Sequence, residues 1–266
     1  MTDMPGFRRR APTVDAMTAR PTRRTTVVLL TTAAVALATG AVSAPASAGV
    51  EPVTTREVVG TTVEDRPIRV VRRTTEGATR RVLVIGSIHG DERAGMRVVR
   101  ELVRRERLPA DLDLWLAESV NPDGTADNRR TNAHGVDLNR NFPYRWGTSP
   151  RGATWSGPGP MSEPESVALR RLVRRIDPAL VVSFHQPLYG VGANDKGMPT
   201  VRALAAGMDL PVRRFVCTGI CHGTFTGWVN NRTDGLAVTV EFGRNAGDAL
   251  VRRAARTVVS VGSTTP

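Results

Sequence analysis

His89 and Glu92 stand three residues apart in GSIHGDE (86–92), directly after the apolar run Val82-Leu83-Val84-Ile85. An imidazole and a carboxylate from one short loop are donor types that suit Zn²⁺. The same spacing also fits an acidic residue opening a helix, where the dipole favours it. Other residues weigh on the choice. His185 follows the run Leu180-Val181-Val182-Ser183-Phe184, and Glu241 follows Leu236-Ala237-Val238-Thr239-Val240. Catalytic zinc takes three protein ligands and keeps one position open. His89, Glu92 and His185 provide the three, and Glu241 provides a carboxylate that can take a proton from water and return it to a leaving amine. Glu241 could instead be a surface carboxylate at a strand end, but it sits in apolar VTVEFG, where a buried charge is costly without a task or a partner.

A second cluster lies in NRRTNAHGVDLNRNFP (128–143), which carries Arg130, Asn132, Asn139 and Arg140. The guanidinium fork matches a carboxylate, and a fixed Arg can also stabilise an oxyanion. Any one of these residues alone would read as part of an ordinary basic loop. Beside a His-x-x-Glu pair the set points to a substrate bearing a free carboxylate.

Positioning such groups requires strands that end together. Residues 57–74 read as a hairpin around Glu64-Asp65-Arg66, 81–88 as a strand leading to His89, and 92–105 as a half-buried helix with Met96, Val99, Leu102 and Val103 inward. The run 112–120 is extended and stops at a turn, Asn121-Pro122-Asp123-Gly124. Ser162 and Glu165 form a capping box for a helix with Val167, Leu169, Leu172 and Val173 inward, ended by Asp177-Pro178, and a last helix covers about 246–259. This alternation predicts an α/β fold, a mixed twisted sheet with helices on both faces. His89, Asn121, His185 and Glu241 each fall at a strand end, where α/β proteins assemble sites.

The 37 basic residues include one lysine, Lys196, and the net charge is +12. Residues 1–48 hold six Arg against two Asp, so +8 remains beyond them, a balance that favours acidic partners such as an anionic envelope surface. Arginines are spread along the chain and aromatics are few, which speaks against nucleic acid. Basic PTRRTT (21–26), apolar VVLLTTAAVALATGAV (27–42) and Ala46-Ser47-Ala48 read as a signal peptide cleaved before Gly49, leaving one domain at 49–266. An uncleaved segment would serve as the sole membrane contact, and Sec and Tat routes both stay open, as does Met17 as the start. Cys217 and Cys221 in FVCTGICHG suit a small disulfide loop in an exported protein; a zinc site with His222 would lack a fourth ligand.

HGDE (89–92), NPDG (121–124), RTNAHGVDLNRNFP (130–143), SGPGPMSEPE (156–165), SFHQP (183–187) and VTVEFG (238–243) together resemble the zinc carboxypeptidases, the M14 peptidases, and within them the short bacterial murein peptide amidases. The resemblance implies one zinc per chain on His89, Glu92 and His185, with Glu241 activating water. It implies that Arg130 polarises the scissile carbonyl and that Asn139 and Arg140 grip the free carboxylate of a peptide, one derived from the cell wall. The family's mobile tyrosine has no counterpart here; Trp228 and Tyr189 are the candidates to contact substrate in its place. A monomer is favoured. The other expectations are a general secreted metallocarboxypeptidase, a zinc deacylase of N-acyl amino acids, and a non-catalytic wall-binding module.

Overall fold

The expected hairpin forms one edge of an eight-stranded sheet. Strands β1 (Val53–Thr61) and β2 (Pro67–Thr74) pair antiparallel, and Asp65 in the turn takes a left-handed φ of 57°. The computed structural model describes residues 49–215 and 222–265. The leader expected at 1–48 and the Cys217 and Cys221 pair lie outside the described residues.

The sheet continues with β3 (Arg80–Ile85), β4 (Leu112–Ala117), β5 (Leu180–His185), β6 (Gly190–Gly192), β7 (Val212–Arg213) and β8 (Leu236–Glu241), in the order β1-β2-β4-β3-β5-β8-β6-β7. Its centre, β4-β3-β5-β8, is parallel; β2 joins β4 and β6 joins β8 antiparallel, so the sheet is mixed. Six helices accompany it among the described residues: α1 (Ala94–Arg104), α2 (Pro122–Asp127), α3 (Pro164–Ile176), α4 (Met198–Met208), α5 (Phe225–Arg232) and α6 (Asp248–Gly262).

Strand alternation splits the core in two, because successive side chains point to opposite faces. Val82, Val84, Leu180, Val182, Leu236, Val238 and Val240 bury themselves with α1, α4 and α6. Leu83, Ile85, Val181 and Ala237 face the other way, onto α3 and α5. Helices therefore cover both faces, as expected of central strands that are apolar on each side.

Two local readings are corrected. Asn121-Pro122-Asp123-Gly124 starts α2 rather than making a simple turn: Asn121 Oδ1 accepts from Gly124 N–H at 2.9 Å, and Pro122 occupies the first turn, where a missing N–H costs nothing. The capping box at Ser162 does not form either. Helix α3 begins one residue later, its N-cap position is Glu163 without a side-chain cap, and Ser162 Oγ donates instead to Glu163 Oε1 at 2.6 Å. Glu163 and Glu165 are buried, and both accept from Asn132 Nδ2, at 2.7 and 3.1 Å. Both carboxylates thus hold the 128–143 loop, and Glu165 also accepts from Val63 N–H at 3.3 Å, so neither caps the helix.

Candidate metal centre

The chain leaves β3 at Ile85, and within the next eight residues presents His89 and Glu92 before α1 begins. Glu92 N–H donates to His89 O at 3.1 Å, making a tight turn. This turn lies against the backbone of α2: a Cβ added at Gly90 would come within 1.9 Å of the Gly124 carbonyl carbon, so Gly90 needs to be glycine, and a Cβ at Gly124 would in turn come within 2.5 Å of Thr131 O. At the start of α1, Ala94 N–H donates to Gln186 Oε1 at 2.9 Å, which ties the loop to the residue after His185. His185 itself is the last residue of β5, and lies opposite Glu241 across the parallel pairing with β8.

The three expected ligands converge. Ligand atoms of His89, Glu92 and His185, all buried, lie within 4.8 Å of one another. His89 Nδ1 is 2.8 Å from Glu92 Oε1, and His185 Nδ1 is 3.0 Å from Oε2, so both imidazoles turn the same nitrogen toward the carboxylate. Their other nitrogens are engaged outside: His89 Nε2 with Asp137 Oδ1 at 3.1 Å, His185 Nε2 with Ser183 Oγ at 3.1 Å. A carboxylate can only accept, so Asp137 keeps the proton on Nε2 and leaves the His89 Nδ1 lone pair for a metal. The donor set and its outer partners fit zinc.

Asp137, which sequence reasoning did not single out, is the hub behind this centre. It is wholly buried at the start of a 3₁₀ turn, Leu138–Arg140, and its Oδ1 also accepts from Asn139 N–H at 2.9 Å. Its Oδ2 accepts from Arg130 Nε and Nη2 at 3.1 and 2.8 Å. Held so, Arg130 brings Nη1 to 3.3 Å from Glu92 Oε1 and 3.2 Å from His89 Nδ1. Asn121 Nδ2 donates to Arg130 O at 3.3 Å, so the N-cap residue of α2, beyond the end of β4 at Ala117, fixes the arginine's backbone. Burial works against ionisation of Asp137 and Glu92, but their hydrogen-bonding and electrostatic partners outweigh it and hold both carboxyls well below their usual range: His89 and Arg130 at Asp137, His89 and His185 at Glu92.

Glu241 is buried at the end of β8, and its Oε2 accepts from Leu188 N–H at 3.2 Å. Burial raises its pKa, which His185 counters and Glu92 reinforces. Arg140 is half-buried and donates from Nη1 to Asn139 O at 2.8 Å; burial lowers its pKa, against the pull of Asp137. Asn139 Oδ1 accepts from Phe225 N–H at 2.9 Å, at the head of α5. Beside that helix a cavity of about 630 Å³ is lined by Thr224, Thr226, Thr239, Asn230, Arg145 and Lys196, among others.

Two candidates, Trp228 and Asn132, stand differently from expectation. Trp228 does not reach the centre: it is 1% exposed and packs with Phe142 and Phe225, ring centroids 5.6 and 6.4 Å apart. Its place in the core follows from the helical spacing Phe225, Trp228, Val229, which turns all three toward the sheet. Asn132 is likewise internal: it donates to Glu163 and Glu165, and its Oδ1 accepts from His134 and Val136 N–H groups, pinning the loop. Tyr189 is exposed in the loop after the cis Gln186–Pro187 bond, next to the Leu188 amide that holds Glu241.

Comparison with known proteins agrees with this geometry. The zinc carboxypeptidase family model, Peptidase_M14, matches residues 48–188. Murein peptide amidase A of Escherichia coli K12 is 40% identical over 119 residues, which cover 40% of this chain and 49% of the relative. The one of Vibrio campbellii is 38% identical over 122 residues, 41% of this chain and 48% of the relative. The match thus spans about half the length of these relatives. The crystal structure of the murein-tripeptide amidase MpaA from E. coli O157 superposes with a TM-score of 0.64 at 28% identity, over 82% of this chain and 95% of that one. Carboxypeptidase A of Helicoverpa armigera shares the fold at 18% identity, with a TM-score of 0.68 over 80% of this chain and 68% of that one. With more than half of its length matched by the family model, and with its His-Glu-His set gathered at one point, this chain belongs to the zinc carboxypeptidase family.

Proposed function

We propose that this chain is a zinc-dependent exopeptidase that hydrolyses the amide bond to the C-terminal residue of murein-derived peptides, of the γ-D-glutamyl–diaminopimelate type, and that it acts outside the cytoplasm after loss of residues 1–48. The observation that carries the reading is the pair of inward Nδ1 atoms of His89 and His185 on the two oxygens of Glu92, with Arg130 alongside. Bound there, a zinc ion supplies Lewis acidity, polarising a carbonyl oxygen and bringing the pKa of water to about 7. Glu241 takes the proton of the attacking water and gives it to the leaving nitrogen. Arg130, clamped by Asp137, meets the carbonyl oxygen as negative charge develops on it. Asn139 and Arg140 hold the free carboxylate of the departing residue.

Murein peptides are favoured as substrates by likeness to relatives named for that activity, by the positive charge beyond residue 48 and by the leader-like start. The test uses the protein from Gly49 onward. The expected result is one zinc per chain and release of the C-terminal residue from a murein tripeptide. Glu241→Gln should keep the zinc and lose about 10²- to 10⁴-fold in turnover, the usual worth of a positioned general base. Trimming of ordinary C-terminal peptides with no action on the tripeptide would refute the murein assignment, and failure to retain zinc would refute the peptidase.

A further inference from the structure

A second recess opens at the metal centre, away from the cavity beside α5. A space of about 280 Å³ is lined by Asp91, Glu92, Arg130, Gln186, Pro187 and Arg244. Through Asp91, Gln186 and Arg244 it continues into one of about 440 Å³, where Arg93 and Arg97 also contribute. Neither space shares a lining residue with the α5 cavity. The groove therefore starts at a metal ligand and at the arginine assigned to the scissile carbonyl, and runs off in a different direction.

Its charge is lopsided. Apart from the ligand Glu92, one carboxylate, Asp91, faces Arg93, Arg97 and Arg244 in addition to Arg130. Two of those three guanidinium groups are committed: Arg93 Nη2 donates to Thr125 O at 2.8 Å, and Arg97 donates to Ala246 O at 2.6 Å and pairs with Asp248. Arg244 differs. It is exposed, and among the described residues its guanidinium makes no hydrogen bond or ion pair. Its backbone is nevertheless anchored, since Gln186 Nε2 donates to both Gly243 O and Arg244 O at 3.1 Å. Arg244 also follows Glu241 by only three residues. An uncommitted guanidinium on a fixed backbone, beside the reacting centre, is placed to meet an anion.

We propose that Arg244 reads a free carboxylate on the acyl side of the scissile bond, which makes this groove the part of the molecule that recognises a γ-linked acidic residue. The inference rests on the peptidase reading above. In that reading the C-terminal carboxylate lies with Asn139 and Arg140, so the acyl half of the substrate runs along the other groove. A γ-linked glutamyl residue differs from an ordinary peptide residue in keeping its α-carboxylate free near the scissile carbonyl. Arg244 supplies the matching cation, with Arg93 and Arg97 adding positive field.

The test compares two tripeptides that differ only at that carboxylate, L-Ala-γ-D-Glu-diaminopimelate and its α-carboxamide form, on wild type, Arg244→Gln and Arg244→Lys. The readout is the ratio of kcat/KM for the two substrates within each protein, so a general loss of folding or activity cancels. Wild type should prefer the carboxylate by about 10- to 100-fold, the range of a hydrogen bond to a charged group. Arg244→Gln should bring the ratio close to one, and Arg244→Lys should retain part of it. An equal rate on both substrates in wild type, or a preference that survives Arg244→Gln, overturns the role of Arg244 while leaving the peptidase intact. Wild type that cleaves neither tripeptide but trims ordinary C-terminal peptides overturns the murein reading, and this inference with it.

Discussion

Asp137→Asn removes one charge from the middle of the site and changes almost no volume. The wild-type carboxylate accepts four hydrogen bonds, from His89, Asn139 and twice from Arg130, and is fully buried. An amide in its place has one accepting oxygen and one donating nitrogen. If the NH₂ faces Arg130, donors oppose donors and a half-buried guanidinium loses its anion. If it faces His89, the imidazole must accept at Nε2, which moves its proton to Nδ1 and blocks the metal lone pair. Either way a buried charge pair is broken, at about 3 to 5 kcal/mol. A domain of this size shifts by about 2 to 4 °C per kcal/mol, so the metal-free protein should melt about 6 to 20 °C lower. Loss of an outer partner of a metal-bound histidine weakens zinc by about 10- to 100-fold. Thermal melts with and without zinc, together with zinc titration against a competing chelator, measure both effects. A variant with wild-type melting temperature and zinc affinity would refute Asp137 as the group that orients His89 and Arg130.

Trp228→Ala should destabilise the fold by about 3 to 5 kcal/mol with little change in KM for the tripeptide, because the ring fills core and does not line the site; a large KM change at unchanged stability, read by urea melts and kinetics, would return it to the substrate. Gly90→Ala should cost about 1 to 3 kcal/mol and weaken zinc, since its methyl meets the Gly124 backbone and must displace the His89 turn; urea midpoint and zinc content both unchanged would sink that account. Asp123 is buried on Thr62 and Arg66, and although burial opposes its ionisation these partners and Glu64 N–H depress its pKa. Its contribution is therefore complete above the unfolded value of about 3.9 and lost as pH falls through the lower folded value. Asp123→Asn should lower stability near neutrality and flatten its fall with acid, and parallel acid profiles of the two proteins would contradict this.

Much of this arrangement is legible in residues whose environment is local. β-branched runs identify β3, β5 and β8, and their ends mark His89, His185 and Glu241 before any contact is known. Helix α5 is harder to see: eight residues containing Gly227, Asn230 and Asn231 have weak intrinsic helicity, and packing of Phe225 and Trp228 holds them helical. The capping box is misleading for a related reason. Ser162-x-x-Glu165 has the right spacing, yet Asn132, some thirty residues earlier, offers Glu165 and Glu163 a buried amide, and that tertiary partner wins. Asp137 is the clearest case of what spacing hides. Within GVDLNRN it looks like a cap for the turn that follows, which it is, and nothing local reveals that its carboxylate also reaches His89, 48 residues away.

Glu241 raises the opposite question, because it lies beyond the stretch that the family model matches, and its position must be fixed by something other than that stretch. The pairing of β8 with β5 does this. Leu180 to His185 face Leu236 to Glu241 one for one, so the two strands run in step to the last residue. Leu236, Val238 and Val240 go into the core with α4 and α6, which leaves Ala237, Thr239 and Glu241 on the opposite face with Ser183 and His185. A slip of one residue would bury Glu241 among valines and turn Val240 toward the metal ligands, a double cost that the apolar pattern forbids. Alternation along β8 thus places the carboxylate beside His185 as firmly as a short motif would. The same alternation puts Ala237 and Thr239 in the wall of the α5 cavity, so one strand supplies both the buried carboxylate beside His185 and part of that cavity.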